Sequence, residues 1–152
     1  MSIKRITNPT EFCDLIDDMD ALFKLENANS GHKLLTHNAE SLKANFSHPS
    51  ILAWDLFVWG NKNAGSFDSC IMFVNDKNPK FATKIFSEFL WLSKNPKAGY
   101  KLFKTAVDFA RKNDFEFIVM NTVTSHPSHE KVKSFYNRMG FLKDCETYIS
   151  KL

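Results

Sequence analysis

The sequence lacks the features that mark membrane-spanning, exported and disulfide-stabilised proteins. No run approaches the roughly 18 apolar residues that a membrane helix needs, and the stretch MSIKRITNPTEF has no apolar signal-peptide core. Cysteine is scarce: Cys13, Cys70 and Cys145 lie far apart, without C-x-x-C spacing. Neither a disulfide framework nor a metal site is therefore indicated, and we expect a soluble, cytoplasmic protein that does not contact a membrane.

An excess of one charge is also lacking. The formal net charge is only +3, too small by itself to indicate nucleic-acid binding. The distribution is uneven, because the first predicted helix carries four aspartates, whereas residues 94–104 carry four lysines and no acid. Phenylalanine, by contrast, is abundant: fifteen in 152 residues predict an aromatic core, in a single domain spanning residues 1–152.

Periodicity and turn signals predict the element order β-α-α-β-β-β-α-β-α-β. A short first strand precedes a helix that begins after Asn8 or Thr10 and ends near Asn27, and a second helix begins after Asn38. Further strands are predicted at 51–60, 66–76, 81–92, 115–122 and 141–152. The remaining helices follow residue 95 and span 129–139, where Gly140 ends the last one. The strand 115–122 is apolar enough to lie mid-sheet, and the crossover after 81–92 implies that it runs parallel to its predecessor.

The stretch WLSKNPKAGYKLF, residues 91–103, leads from a strand into a helix. Helix amino termini present free N–H groups and a positive dipole end, which suit phosphate. Gly99 permits close backbone approach, and Lys94, Lys97 and Lys101 add positive charge, so a phosphate site is one interpretation. A solvated lysine face on an ordinary surface helix explains this stretch alone equally well.

Three stretches resemble the GNAT superfamily, the acyl-CoA-dependent N-acetyltransferases. Residues 94–99, KNPKAG, are similar to its pyrophosphate signature Arg/Gln-x-x-Gly-x-Gly/Ala, with Lys97 in place of the middle glycine. Residues 134–141, SFYNRMGF, are similar to the closing helix and the Gly-Phe step that follows it. Residues 86–93, FSEFLWLS, are similar to the strand that carries a catalytic glutamate in histone-acetylating members.

The resemblance implies a GNAT-like α/β (α+β) fold, the acyl-CoA N-acyltransferase fold. Its mixed, mostly antiparallel sheet would be splayed between the fourth and fifth strands, with acetyl-CoA bound in the cleft as acetyl donor. Only eleven residues follow Phe141, so the final hairpin of the family would be shortened or supplied by a partner chain, and a homodimer is left open.

The resemblance also implies roles for individual residues. Glu88 would deprotonate the acceptor amine, Tyr136 would protonate the departing thiolate, and the Leu92 N–H would bind the acetyl carbonyl. Strand alternation puts Glu88, Leu90 and Leu92 on one side of the sheet. His129 occupies the position of an asparagine that contacts the coenzyme in many members. The implied coenzyme-binding residues are Leu92, Lys94, Lys97, Ala98, Gly99, Tyr100, Lys101 and His129.

Alternatives remain at each position. Glu88 could be a surface carboxylate and Tyr136 a packing residue, while His126 and His129 suit turn and cap roles better than a metal site. The acceptor is implied only as a primary amine on a small molecule or a peptide. A non-catalytic acyl-CoA-binding module is a second hypothesis. Nucleic-acid binding is a weaker third, because no interleaved aromatic and basic motif occurs.

Overall fold

A five-stranded mixed sheet organises the protein in the computed structural model, which describes residues 2–31, 35–77 and 83–152. The strands, in spatial as well as chain order, are β1 (Ser2–Ile6), β2 (Leu56–Asn63), β3 (Ser66–Asp76), β4 (Ile85–Ser93) and β5 (Phe117–Val119). Neighbours from β1 to β4 are antiparallel, whereas β5 runs parallel to β4. The predicted mixed α/β class and the parallel last pair are confirmed.

Five helices are described, with boundaries close to most of those expected. They are α1 (Pro9–Asn29), α2 (Ala39–Phe46), α3 (Pro49–Trp54), α4 (Pro96–Lys112) and α5 (His129–Arg138). The Asn8 and Asn38 side chains accept hydrogen bonds from the backbone N–H groups of Glu11 and Ser41, which satisfies donors at the starts of α1 and α2. Gly140 has φ +84°, the left-handed conformation expected after α5.

The sheet separates two apolar clusters. One contains buried residues of α1, α3 and β2–β4, with α2 residues packed against it, and the other contains β2–β4 and α4. The second is aromatic, and its Phe73 and Phe86 rings stack with centroids 4.2 Å apart. Gly60 of β2 permits close packing in the cluster beside α1, because a Cβ at this position would lie 2.5 Å from Leu15 Cδ1.

The stretch 51–60 is not one strand, as predicted, but is divided between two elements. Pro49–Trp54 form α3, and β2 begins only at Leu56. His48 caps this helix, since its Nδ1 accepts the Ser50 N–H at 3.2 Å, and Pro49 fits the first turn. β4 begins at Ile85 rather than at 81, and residues 81 and 82 of the predicted strand lie outside the described residues.

The carboxyl-terminal prediction is wrong in two respects. Residues 141–152, all described, contain no strand, and β5 has three residues instead of the eight expected. β5 is the sheet edge rather than a central strand, and Phe117 is 59% exposed. Strand geometry needs a hydrogen-bonded neighbour, and residues 141–152 pair with none of the described strands, including the edge strand β5. None of the helices in the described ranges has the length and apolar character to span a membrane.

Candidate active site between strands β4 and β5

A β-bulge decides which way Glu88 faces. In the β3–β4 pairing Phe73 opposes Glu88 and Met72 opposes Leu90, which leaves Phe89 as the extra residue. Phe73 belongs to the aromatic cluster beside α4, whereas Met72 belongs to the cluster beside α1. Directly opposed side chains share a face. Glu88 therefore faces the α4 side and Leu90 the α1 side, so the prediction that Glu88, Leu90 and Leu92 share a side is wrong.

Glu88 is held where β4 and β5 separate. Direct pairing of these strands ends at Ser87 and Val119. Just beyond it, the Asn121 backbone N–H donates to Glu88 Oε2 at 2.7 Å, and Asn121 Nδ2 donates to the Glu88 carbonyl oxygen at 3.1 Å. Asn121 thus replaces strand pairing with two hydrogen bonds and fixes the carboxyl at the start of the cleft. The splayed sheet that was expected begins here.

Burial raises the pKa of Glu88 to about 7, because the charged carboxylate loses solvation, while the Asn121 N–H opposes this rise. A carboxyl with this pKa exchanges its proton near neutral pH, where proton transfer to and from a reacting group is most effective. Perturbed groups of this kind concentrate at functional sites. The pKa of Glu88 therefore lies in the range that suits a general base.

Tyr136 joins the same hydrogen-bonded unit from α5. Its hydroxyl donates to the Asn121 carbonyl oxygen at 2.8 Å, and the residue is only 9% exposed. Burial, and secondly the Glu88 charge, raise the pKa of Tyr136 above its usual range. Asn121 consequently links the two residues singled out in the sequence. It was not predicted, although a polar side chain directly after a strand that reaches a cleft is a signal that could have found it.

A cavity of about 370 Å³ opens from this unit along the separated strands. Its described wall comprises Glu26 and His37; residues 88–93 of β4; Asn121, Thr122, Val123, His126 and Ser128; and Val132 and Tyr136 of α5. No lysine or arginine is among these lining residues, whereas two carboxylates are. The cavity thus combines apolar walls with a few convergent polar groups, as small-molecule sites do.

Leu92 lines the cavity, but its N–H points away from it. The Lys94 N–H donates to Asp68 O across the β3–β4 pair, and by two-residue alternation the Leu92 N–H points to β3 as well. There it contacts the Cys70 thiol, whose pKa burial raises to about 12. The expectation that Leu92 presents its N–H to the cleft is therefore wrong. The N–H groups of Trp91 and Ser93 alternate with it and point toward the β5 side.

His126 and Glu26 form a second polar pair on the cavity wall. His126 Nδ1 accepts the Ser128 N–H at 3.1 Å, which leaves Nε2 to face Glu26 Oε2 at 2.8 Å. The turn role expected for His126 is confirmed. This contact links α1 to the loop before α5. Nearby, burial lowers the pKa of His37, an effect that Glu26 partly offsets.

The predicted phosphate-binding residues lie at the start of α4, outside the cavity wall described above. Lys94, Lys97, Tyr100 and Lys101 are exposed, whereas Ala98 and Gly99 are buried. Asn95 caps the helix: its Oδ1 accepts from Lys97 N at 3.0 Å and from Ala98 N at 3.4 Å. Two of the amides expected to face phosphate are therefore already bonded to Asn95.

Gly99 does permit close approach, but to the sheet. A Cβ at this position would lie 3.1 Å from Ser93 Cβ and 3.6 Å from Trp91 Nε1.

His129, at the start of α5, lies beside the cavity wall rather than in it. His129 Nδ1 lies 3.2 Å from Thr122 Oγ1, and Thr122 lines the cavity. In the described ranges, no group of histidine, cysteine and acidic residues is arranged to hold a metal ion.

Solved structures provide the external comparison, because neither a known family model nor a curated protein sequence matches the chain. A ribosomal-protein-alanine N-acetyltransferase from Brucella melitensis superposes with TM-score 0.67 at 10% identity, over 100% of both chains. An aminoglycoside acetyltransferase from an uncultured soil metagenomic sample, solved with sisomicin, gives TM-score 0.68 at 12% identity, over 99% of this chain and 95% of that one. The chain has a GNAT-like acetyltransferase fold. Because both identities are low, the likeness establishes the GNAT-like fold only.

Proposed function

We propose that the protein is a GNAT-type N-acetyltransferase that moves an acetyl group from acetyl-CoA to a primary amine by direct attack. The observation that carries this proposal is the Glu88 carboxyl, placed at the opening between β4 and β5 with its pKa raised to about 7. Its hydrogen bond to Asn121, which also binds Tyr136, supports a joint role of the three residues.

Each step in this proposal has an assigned group. Glu88 accepts a proton from the acceptor ammonium, and the neutral nitrogen attacks the thioester carbonyl carbon. The C–N bond forms, negative charge collects on the carbonyl oxygen, and the C–S bond breaks as that charge returns. The Trp91 N–H, directed toward β5, is the donor we assign to that oxygen in place of Leu92. Tyr136, which its raised pKa keeps protonated until that stage, then supplies a proton to the thiolate. The second proton that the attacking nitrogen loses restores Tyr136, so the products are the amide, the free thiol and protonated Glu88.

The cleft fits the thioester end of acetyl-CoA, because apolar β4 residues face Asn121 and Thr122 across it. A row of free backbone amides is not available for the diphosphate end, because the N–H groups of Lys97 and Ala98 already donate to Asn95. We propose that Lys94, Lys97 and Lys101 bind the phosphates through charge. Ala98, Gly99 and Tyr100 would form the adjoining surface, and His129 would contact the donor through the Thr122 side of the cleft.

A cationic amine suits the acceptor side. Glu26 and Glu88 are the charged residues of the described wall, and neither lysine nor arginine opposes them. The similar structures carry names that refer to a ribosomal-protein alanine and to aminoglycosides, and these are acceptors of those proteins. For this chain we propose the shared chemistry, a primary amine on a small molecule or a peptide. We place the protein in the reducing cytoplasm, because its cysteines, Cys13, Cys70 and Cys145, are all free. Residues 1–152 would act as one domain.

Thiol release from acetyl-CoA tests the proposal with a panel containing a diamine, an amino sugar and a peptide with a free amino terminus. Amine-dependent release, with the acetylated amine seen by mass spectrometry, would support it. Glu88→Gln should abolish most of this activity. Glu130→Gln is the matched control, because this α5 glutamate has a side chain that is 78% exposed. Release that does not depend on any amine, or is equal in Glu88→Gln, would refute the assigned mechanism.

A non-catalytic acyl-CoA-binding module is the second candidate. The Asn95 cap on the amides at the start of α4 favours it, because this cap competes with the diphosphate for the same donors. It predicts that acetyl-CoA binds without turnover of any amine in the panel, and that Glu88→Gln leaves binding unchanged.

A further inference from the structure

Glu26 is a cavity carboxylate that the proposed bond changes do not use. It belongs to α1, whereas Glu88 faces the α4 side of the sheet, and both line the cavity between β4 and β5. A second carboxylate within about 4 to 6 Å would raise the pKa of Glu88. The observed rise comes from burial, opposed by the Asn121 N–H, without a contribution from Glu26. The two carboxylates are therefore too far apart for one ammonium group to contact both.

His126, the basic side chain in contact with Glu26, is held as a neutral ring by a local turn. The sequence Ser-His-Pro-Ser occurs twice in the chain and forms the same turn both times. In each copy the histidine Nδ1 accepts the N–H of the second serine, at 3.2 Å in His48 and at 3.1 Å in His126. A ring nitrogen that accepts a hydrogen bond carries no proton, so we assign the His126 proton to Nε2 alone.

This neutral ring leaves the Glu26 charge without a counterion. Nε2 of His126 lies 2.8 Å from Glu26 Oε2, but its N–H is not directed at an acceptor, so the contact is close without being a hydrogen bond. Among the described residues, no lysine or arginine lies within ion-pair distance of Glu26. The Glu26 charge also raises the pKa of His37 against the larger effect of burial. A carboxylate in these surroundings favours a cationic ligand.

A neighbouring cavity of about 350 Å³ gives an acceptor more room but adds no acidic group. It shares His37, Phe89 and Leu90 with the first cavity. The rest of its described wall is uncharged and consists of Thr36, Asn38, Ser41, Leu42 and Phe46. Within the described walls of the two cavities, Glu26 is thus the one carboxylate besides the proposed base Glu88.

We propose that the acceptor carries a second ammonium group, which Glu26 binds while Glu88 takes the proton from the reacting nitrogen. This inference rests on the proposed acetyl transfer and narrows its acceptor to an aliphatic diamine or a larger molecule that carries two amines. Alkyl amines have a pKa of about 10, so the second nitrogen stays cationic near neutral pH. It takes no part in the bond changes. Glu26 is then a residue that determines acceptor specificity.

Thiol release from acetyl-CoA with two matched acceptors tests this role. The probes are an aliphatic diamine and the amino alcohol that has a hydroxyl group in place of the second amine. In wild type, kcat/KM should be about ten- to a hundredfold higher for the diamine, chiefly through KM, because a charge-assisted hydrogen bond is lost with the amino alcohol. Glu26→Gln should bring the two values to within about twofold, the ratio that two equivalent amines give by number alone. Glu26→Asp should restore part of the preference.

Asp14→Asn is the matched control, because Asp14 is an exposed α1 carboxylate outside the described cavity wall, and it should keep the full preference. Each ratio compares two acceptors on one protein, so a variant that folds in lower yield does not alter it. Similar values for both acceptors in wild type, or a preference that survives Glu26→Gln, would overturn this inference and leave acetyl transfer standing. Turnover of other amines but not of the diamine would do the same. Turnover of no amine at all would overturn the proposed function together with this inference.

Discussion

Replacing Glu88 with glutamine should stabilise the protein and inactivate it at the same time. The pKa of Glu88 is raised from 4.5 to about 7 in the folded chain, chiefly by burial. Between these values the unfolded chain has lost the proton and the folded chain has kept it. The unfolded state then binds fewer protons, so this carboxyl makes stability fall as pH rises through that window. Glutamine carries no charge that burial would desolvate, and its side-chain carbonyl can still accept the Asn121 N–H.

The size of the effect follows from the shift. A rise from 4.5 to about 7 corresponds to about 3 kcal/mol once Glu88 is fully ionised, at about 1.4 kcal/mol per pKa unit. Glu88 is only partly buried, so this value is an upper bound. The advantage of Glu88→Gln in unfolding free energy should be near zero below pH 4.5 and approach its maximum above pH 7. In wild type, kcat/KM should rise with pH through about 7 as Glu88 ionises.

Urea unfolding of both proteins at several pH values measures the stability difference without any substrate. Thiol release from acetyl-CoA, with the best amine of the panel, measures the rate, which should fall about 10² to 10⁴-fold in Glu88→Gln. A variant no more stable than wild type above pH 7 would show that Glu88 does not bear the burial cost described. Unchanged rate with an unchanged pH profile would show that Glu88 is not the base.

Three further substitutions test other parts of the account. Tyr136→Phe removes the hydrogen bond to Asn121 O, so it should cost about 1 kcal/mol in urea unfolding and, if Tyr136 is the acid, lower kcat about tenfold or more with little change in KM. Lys97→Ala should weaken acetyl-CoA binding and reduce its dependence on salt in titration calorimetry, and an unchanged salt dependence would contradict charge-based phosphate binding. Gly60→Ala should lower stability by about 1 to 3 kcal/mol, because its Cβ would clash with Leu15; an unaltered thermal midpoint would contradict that packing.

Much of the fold followed from local signals in the sequence. Asn8, one of the two cap candidates, and Asn38 marked two helix starts, and the run at 66–76 predicted β3 with its observed bounds. The terminal strand failed because strand propensity does not specify a pairing partner, and residues 141–152 pair with none of the described strands. The first half of 51–60 failed because the His48 and Pro49 helix start outweighed strand propensity in the residues that follow.

The site was predicted less completely, for a geometric reason. The extra residue Phe89 puts Glu88 on the opposite side of the sheet from Leu90, and no local sequence pattern predicted this bulge. The Leu92 N–H points toward β3, because backbone N–H groups alternate in direction along β4 and the Lys94 N–H bonds to Asp68 of β3. Asn121 was missed because its importance comes from its distance to Glu88 and Tyr136, which are far from it in the sequence.

The thermal midpoint of the protein with and without acetyl-CoA tests the proposed function most directly, because it requires no knowledge of the acceptor. At about a hundredfold excess over the dissociation constant, binding contributes about 2.7 kcal/mol, which raises the midpoint of a domain of this size by about 5 to 10 °C. We predict such a rise, reduced in Lys97→Ala and retained in Glu88→Gln. The absence of any shift as acetyl-CoA is raised to saturating levels would contradict both the transferase and the acyl-CoA-binding module.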